Sequence, residues 1–454
     1  MIGTIAAKEL LVSIKTVRFI VTVLICCLLI PISVWVLSND YLRDEEDYRG
    51  RLALEERRET GKNFQIGVNR PIPPLSPLFR GVCPESANSI ELKHFLAWNY
   101  PVAAATQSVT HDIFPSVDLT FVIGVVVSAL ALMFSFDSIS GEKADATLRL
   151  MMSNAIPRYK IVIGKWIGLT GALLLPFLVG ILISLLIFFS ITGLNLNGDN
   201  WLALSLALMV SIIYLILFIL IGIVISALTS NPSVSIFLCL GAWGLLTIIL
   251  PQTAIAVSDL LEPLPTPQQI ERDIRVNYNN FANDLRESNR ELIEEARREG
   301  TPFDDLNTAC NLNMADRAIQ NRRDANNVER EFWLQIARQE RAGKLLSLMS
   351  PYGSLTQALV SLADTGPAGQ REFLIRSYRY GEQYFEDIWE KAFSDSEDYS
   401  SWDDIYASFP KFVYEGTSLE SRLQAAIWPI FSLLLANIIL LMLGIIAYNR
   451  YDVR

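Results

Sequence analysis

Residues Trp201 to Leu228 read WLALSLALMVSIIYLILFILIGIVISAL and contain no Asp, Glu, Lys or Arg. A helix needs roughly 20 consecutive apolar residues to cross the hydrocarbon layer of a bilayer. This run exceeds that length, and in water it would expose apolar side chains on every face. It therefore predicts a transmembrane helix.

Five other stretches are also long and apolar enough to span a membrane. With the first they predict six spans, numbered 1 to 6, at residues 19–37, 119–136, 163–191, 201–228, 234–257 and 424–448. The hydrophobic content of 51% and the mean hydropathy of +0.31 agree, because soluble domains rarely average so apolar. The predicted fold class is an all-α membrane protein. A single soluble enzyme, a disordered chain and a collagen-like fibre are excluded.

The distribution of charge predicts which way the spans run. Lys and Arg near the spans collect at the N terminus, in the loop of residues 137–162 and in the tail of residues 449–454. The long segments 38–118 and 258–423 contain more acidic than basic residues and account for the net charge of −10. Because basic loops remain in the cytoplasm, both termini are predicted to be cytoplasmic and both long segments extracytoplasmic.

Residues 1–18 form a pattern of their own before span 1. Apolar residues recur on one helical face, at Ile2, Ala6, Leu10, Ile14 and Val17. Lys8 and Lys15 lie on another face, and this pattern is typical of an elbow helix that lies in the headgroup layer. The alternative is a ragged cytoplasmic extension of span 1. Span 1 itself resembles a signal anchor more than a cleaved signal peptide, because its apolar run is long.

The second extracytoplasmic segment, residues 258–423, has the pattern of several helices. Thr266 is a plausible N-cap, and Gly300 with Pro302 ends the first helical pattern. A second pattern continues to about Leu348, so the two predict a helical hairpin beyond the membrane. Shorter helical patterns follow it, and the extracytoplasmic domain is expected to be mainly helical.

The first extracytoplasmic segment begins with a charged helical pattern at residues 40–59, and a proline-rich run at residues 70–77 favours an extended strap. Of the five cysteines, only Cys83 in this segment and Cys310 in the second lie outside the spans. They are candidates for a disulfide in an oxidising compartment. Two unpaired thiols remain an equal alternative, because the sequence does not give the distance between them.

The chain contains few residues that could carry out chemistry. The two histidines, His94 and His111, are not at metal-ligand spacing, and no HExxH, CxxC, GxSxG or P-loop motif occurs. No cluster of Lys and Arg interleaved with aromatic residues suggests a nucleic-acid partner. We therefore expect a non-catalytic protein without a cofactor of its own. If the protein performs work across the membrane, the energy is expected to come from a partner chain.

The loop between spans 2 and 3 contains the most informative motif. Residues 137–158 read DSISGEKADATLRLMMSNAIPR. An apolar helical stripe is formed by Ala144, Leu148, Met151 and Met152, and Pro157 ends it. Such a stripe suits a helix that docks in the groove of a partner protein. The alternative is a helix that lies on the membrane surface.

This loop resembles the coupling helix of ABC-2-type transporter permeases. The matching residues are Gly141, Glu142, Lys143, Thr147, Leu148, Met151, Ser153, Pro157 and Arg158, followed by Gly164 and Lys165 at the start of span 3. The spacing of Gly164, Gly168 and Gly171 also indicates close helix packing. A narrower resemblance is to a subgroup known as a domain of unknown function. Its members have long outer segments after spans 1 and 5 and share three short motifs, seen here as Ser350-Pro351, Ala363 to Gly366, and Pro410 with Phe412.

The resemblance implies the membrane subunit of an exporter in the bacterial cytoplasmic (inner) membrane. It implies a second permease copy or paralogue, membrane lipid, and an ABC ATP-binding subunit that holds ATP and Mg. The residues implied to couple to that ATPase are Gly141, Glu142, Lys143, Thr147, Leu148, Met151, Pro157 and Arg158. Two alternatives remain: a mechanotransmission subunit that drives an extracytoplasmic protein partner without moving substrate, and a receptor or scaffold.

Overall fold

The computed structural model describes residues 1–58, 65–81, 89–93, 117–145, 157–394 and 411–450. Six helical segments in these ranges are long and apolar enough to cross a membrane. The predicted all-α membrane fold with six spans is therefore confirmed. We call the end of the bundle beside the N-terminal residues the N-terminal end. The end from which residues 267–347 extend is called the hairpin end.

Five of the six spans are longer than the apolar runs that predict them, and span 2 ends one residue before its predicted end. They are formed by α2 (Val17–Arg58); by α3 (Leu119–Phe121), the π-helical segment π1 (Val122–Val127) and α4 (Ser128–Ser135); by α6 (Arg158–Thr192); by α7 (Gly198–Leu228); by α8 (Pro232–Gly244), π2 (Leu245–Ile249) and α9 (Leu250–Leu261); and by α14 (Leu419–Asn449). Two short helices, α1 (Ile2–Ile14) and α5 (Ser140–Ala144), lie at the N-terminal end. In the five longer spans the helix extends past its apolar core because the flanking polar residues still favour helix.

Helix α2 shows this most clearly. The sequence separates residues 19–37 from a charged helix at residues 40–59, but the structure joins them in one helix of 42 residues. Pro31 lies inside this helix, and no proline follows it before the helix ends at Arg58. Nothing in the local sequence therefore stops the helix at the membrane surface.

Local capping chemistry sets several helix ends. Asp118 caps span 2 through Oδ1, which accepts a hydrogen bond from the backbone N–H of Phe121 at 2.9 Å. Asn197 caps α7 by accepting from the N–H of Asn200 at the same distance. These caps satisfy amide groups that a helix start would otherwise leave without a partner.

The main core lies around α7, whose buried side chains face several neighbours at once. They include Leu215, Phe218, Ile219 and Ile223, each buried almost completely. By contrast, only 17% of the most apolar window is buried in span 5, and the same holds for span 6. The exposed apolar faces of these two spans are available to lipid or to another chain.

Beyond span 5, α10 (Pro267–Glu299) and α11 (Phe303–Ser347) pack side by side as the predicted hairpin. Thr266 caps α10 in a capping box with Gln269. Gly300 ends α10 with a φ of 71°, a left-handed conformation in which glycine avoids a steric penalty. The 33 residues of α10 correspond to a length of about 50 Å.

Two further helices follow the hairpin, α12 (Pro351–Leu362) and α13 (Pro367–Ser394). Strands β1 (Gln65–Asn69) and β2 (Ser89–Lys93) pair antiparallel, with Gln65 opposite Lys93. They pack on α13 through a small core of Val68, Ile90, Phe373, Leu374 and Tyr414. The sheet was not predicted, because each strand has only five residues. The predicted strap is extended only in part, since residues 74–78 form turns.

A buried ionic clamp joins these outer parts to the bundle. Arg70 donates from Nη2 to the backbone carbonyl of Asp364 at 2.8 Å, and a second guanidinium, Arg422, lies 3.7 Å from the Asp364 carboxylate. Asp364 belongs to the Ala363 to Gly366 motif and has a φ of 60°. Beside it, the Tyr414 hydroxyl donates to the carbonyl of Gly369 at 3.2 Å, and burial raises the pKa of this phenol.

Candidate functional site

The residues predicted to couple to an ATPase divide into two groups. Gly141, Glu142 and Lys143 lie on α5, and Pro157 and Arg158 lie at the start of α6. The other three, Thr147, Leu148 and Met151, lie outside the described residues, as does most of the predicted apolar stripe. The structure therefore describes the geometry of the two ends of this loop, at α5 and at the start of α6.

A buried ion cluster lies at the centre of this site. The Lys165 ammonium contacts Glu142 Oε1 at 2.8 Å and Glu9 Oε1 at 3.1 Å, and it also donates to the carbonyl of Ser138 at 2.8 Å. Only 1% of the Lys165 side chain is exposed. The three donor directions of the ammonium are thus satisfied, as burial of a charge requires. We call Glu9, Glu142 and Lys165 the ion cluster.

The ion cluster depends on a close approach of α1 to α6. A Cβ added at Gly168 would lie 2.6 Å from the carbonyl oxygen of Ala6, and one added at Gly164 would lie 2.8 Å from the side chain of Ile5. Both distances are shorter than real contacts allow, so these two positions need glycine. The predicted close packing at this spacing therefore involves α1, which brings Glu9 within reach of Lys165.

Lys143 fastens α5 to the end of α7. Its ammonium donates to the carbonyl of Thr229 at 2.9 Å and to the carbonyl of Ala227. These carbonyls belong to the last turn and cap of α7, where a positive charge is favoured by the helix dipole. The Ser226 hydroxyl adds a second fastening, since it accepts from the N–H of Ser140 at 2.9 Å.

Arg158 fastens the other end of the loop to span 6. Its Nη1 donates to the carbonyl of Asn449, the last residue of α14, at 2.8 Å. Pro157 occupies the N-cap position of α6 with an extended conformation, which suits the start of a helix. The loop of residues 137–162 is therefore tied to spans 4 and 6 as well as to span 3.

A further pair links span 1 to the same loop. Arg18 and Asp137 form two parallel hydrogen bonds, at 3.0 and 2.8 Å, and the Arg18 guanidinium lies 4.7 Å from the centre of the Phe136 ring. Both charged side chains are about one-third exposed, so this pair contributes less than a buried one. It places the start of α2 against the end of span 2.

The sequence matches the family described as ABC-2 family transporter protein over residues 3–453. The chain belongs to the ABC-2 transporter family. It is a permease subunit of an ABC transporter, and members of this family are generally non-catalytic membrane subunits that work with an ABC ATP-binding partner. No protein of curated function matches the sequence.

Sequence reasoning missed several residues of this ABC-2 permease site. All four of Glu9, Arg18, Asp137 and Ser226 make contacts at the site; Asp137 begins the motif of residues 137–158 but is not among the residues that match the family, and the other three lie outside the motif. Lys165 was named as a match to the family at the start of span 3, and nothing in the sequence indicated that its side chain is buried. The glycine spacing in α6 was the one signal that a neighbouring helix comes close.

The remaining candidate residues do not join this site. In the ranges that the structure describes, no three His, Cys, Asp or Glu side chains are grouped so that they could hold a metal ion. His94 and His111 lie outside these ranges. So does Cys83, while Cys310 is a half-buried residue of α11, about 50 Å of helix from Gly343. The disulfide between these two cysteines stays a prediction.

Proposed function

We propose that this ABC-2 permease is the membrane subunit of an exporter and that residues 137–158 receive force from a separate ATPase. The observation that supports this is the buried Lys165 ammonium, which joins α1, α5 and α6 at one point. A displacement of α5 would have to move both neighbours, because separating them leaves buried charges without partners.

The eight proposed coupling residues fall into two roles. Glu142, Lys143 and Arg158 bond to the permease itself, so we assign them to force transmission. Thr147, Leu148 and Met151 are assigned to contact with the ATPase. Gly141 and Pro157 shape the two ends of the loop. Among the residues that the structure describes, a Cβ at Gly141 would meet only an ordinary contact at 3.7 Å, so a close approach by the partner is the proposed reason for glycine there.

The bonds at the site define a path by which force would reach the spans. Lys143 connects α5 to the end of span 4, Arg158 connects the loop to span 6, and Arg18 connects span 1 to Asp137. A partner that pushed on the loop would act on several spans together. Such a joint movement is what access from one side of a membrane to the other requires.

We propose that both termini face the cytoplasm, that the membrane is the bacterial inner membrane, and that α1 is an interfacial elbow helix. The basic residues at the N-terminal end support this orientation. The exposed apolar faces of spans 1 and 5 are proposed to meet lipid and a second permease copy or paralogue, with a transport path at this interface that spans 1, 2 and 5 line or gate.

Co-purification in mild detergent tests the docking site. We expect an ABC ATP-binding subunit to co-purify with the wild-type chain and to be lost with Leu148→Asp, because an apolar contact becomes a buried unpaired charge. Leu312→Asp is the matched control, since it makes the same change on the exposed surface of α11. Equal recovery of the ATPase with Leu148→Asp and with the control would contradict the assignment.

A second candidate function is mechanotransmission to an extracytoplasmic partner without substrate movement. The hairpin of α10 and α11 favours it, because about 50 Å of paired helix projects from the bundle. The ATPase rate of the reconstituted complex in liposomes separates the two functions: stimulation by a substrate supports export. If no ATPase co-purifies from membranes that contain one, the remaining alternative, a receptor or scaffold, is favoured.

A further inference from the structure

Helix α12 touches the π-helical segments of two different spans. The Tyr352 ring lies against π1 so closely that a Cβ added at Gly124 would be 2.3 Å from ring atom Cε2. On the other side, the Ser350 hydroxyl donates to the carbonyl of Leu246 in π2 at 2.7 Å. A helix of only 12 residues therefore contacts spans 2 and 5 where both depart from α-helical geometry.

The two π-helical segments are places where these spans can change shape. A π-helical turn leaves an irregular hydrogen-bond ladder, and such turns occur frequently at functional sites. In π1, the carbonyl of Gly124 accepts a hydrogen bond at 2.7 Å from the buried Tyr214 hydroxyl on α7. Near π2, Trp243 donates from Nε1 to the Ser128 hydroxyl on span 2 at 3.0 Å. The segments are thus held by specific bonds that a movement could exchange.

Helix α12 is itself fixed to the bundle. Its side chains Leu355, Leu359 and Leu362 are fully buried in the main core. The Ser354 hydroxyl lies 2.8 Å from the Ser432 hydroxyl of span 6. A shift of either π-helical segment would therefore move α12 as a unit.

The junction between α11 and α12 passes such a shift to the hairpin. A Cβ added at Gly353 would lie 2.4 Å from the carbonyl oxygen of Ser347, so the end of α11 and the start of α12 are in direct backbone contact. The Gln357 side chain donates from Nε2 to the carbonyl of Lys344 at 3.1 Å and to the Ser347 hydroxyl. These contacts hold the end of α11 against the start of α12, and we call this junction, at residues 344–357, the corner.

The base of α11 is also held by the end of span 5. Gln339 donates from Nε2 to Asp259 at 2.8 Å, and Arg338 lies 3.5 Å from Glu262. Gly343 packs beside Ser258. The hairpin base is therefore in contact with α9 on one side and, through α12, with spans 2 and 6.

We propose that the hairpin of α10 and α11 is a lever and that α12 is the link that moves it. A change of shape at π1 or π2 shifts α12, and the corner converts this shift into a tilt of the hairpin. The tilt would carry a movement of the membrane spans to whatever the hairpin contacts. The link does not depend on the proposed ATPase docking, and it is tested without an ATPase.

Spin-label distances in the full chain in nanodiscs measure the tilt. The five cysteines are replaced by Ala or Ser, and labels are placed at Leu312→Cys on α11 and Leu202→Cys at the start of span 4, both exposed. Gly124→Ala pushes Tyr352 away by about 1 Å to restore normal contact. Helix α12, with 12 residues, is about 18 Å long, and Leu312 lies about 50 Å of helix from the corner, so a 1 Å shift is magnified roughly threefold and the mean label distance should shift by about 3 Å.

Two variants make the test specific. Gly124→Ala combined with Tyr352→Ala removes the overlapping ring and should restore the original distance. Gly241→Ala in span 5, where an added Cβ meets no described residue within 4 Å, should leave the distance unchanged. A folded Gly124→Ala protein with the label distance of the Gly241→Ala control would overturn the proposal, and so would a shift that persists in the double variant.

A second pair of variants tests the link between π1 and the hairpin if Gly124→Ala does not fold. Tyr352→Ala removes the ring that contacts π1, whereas Tyr352→Phe keeps it. The lever predicts a broader distribution of label distances in Tyr352→Ala than in Tyr352→Phe, because the loosened link allows more hairpin positions. Equal widths in the two proteins would overturn the proposal.

Discussion

Replacement of Lys165 by methionine should destabilise the bundle at its N-terminal end. The change keeps the apolar stem of the side chain but removes the charge that Glu9 and Glu142 share. Both carboxylate oxygens lie about 3 Å from the ammonium, so they are at most about 6 Å from each other. Without the ammonium, two negative charges face each other in a site that water barely reaches.

Two estimates of the size of this effect agree. Two like charges roughly 6 Å apart repel by about 3 kcal/mol at an effective dielectric constant of about 20. Removal of one member of a buried ion pair typically costs about 3–5 kcal/mol. Because the Glu9 and Glu142 side chains keep 12% and 18% exposure, we expect the lower end, about 3 kcal/mol in the free energy of unfolding.

Denaturant titration of the purified protein in mixed micelles measures this quantity. Arg290→Met is the matched control, because its ion pair with Glu294 is largely exposed and contributes less than about 0.5 kcal/mol. A variant in which Lys165→Met is combined with Glu9→Gln and Glu142→Gln should recover most of the loss, since no charge is then left unpaired. If Lys165→Met costs no more than Arg290→Met, the ion cluster does not hold α1, α5 and α6 together.

Three further changes test other parts of the structure. Lys143→Met should lower the free energy of unfolding by about 1.5–3 kcal/mol, because it removes charged hydrogen bonds to the end of α7. The same denaturant titration measures this loss, and an unchanged free energy of unfolding would contradict the prediction. Asp364→Ala should cost about 3–5 kcal/mol, because two guanidinium groups lose their shared carboxylate, whereas Asp364→Asn, which tolerates positive φ, should cost less; equal losses would show that the lost charge, which both changes share, accounts for the whole effect and that the φ of this residue does not matter. If Cys83 and Cys310 form a bridge, gel mobility should change on reduction and peptide mapping should recover the linked pair, and two free thiols would refute it.

The six spans and the hairpin could be predicted because their causes are local. An apolar run such as residues 201–228 has no stable alternative to a helix in the membrane. The start of α10 at Thr266 and its end at Gly300 follow from side-chain capping and from the backbone freedom of glycine. The motif of residues 137–158 also identified the family, because it combines several residue types at fixed spacing.

The partners of the charged and short elements could not be predicted. Glu9 and Lys165 are 156 positions apart, and nothing in either local sequence indicates that they meet. Strands of five residues, such as β1, have too few side chains to show an alternating pattern. Helix α12 was expected as a short amphipathic piece, but its place against spans 2, 5 and 6 depends on the shapes of all three.

The sequence by itself determined which segments enter the membrane, where most helices start and stop, and which family the chain belongs to. These properties depend on the free energy of transfer of a single segment and on capping within a few residues. Only the tertiary structure decided that Lys165 is a buried centre of three helices and that α12 links the hairpin to π1 and π2. Such contacts depend on which surfaces fit together, and close packing and pairing of buried charges are properties of the assembled bundle.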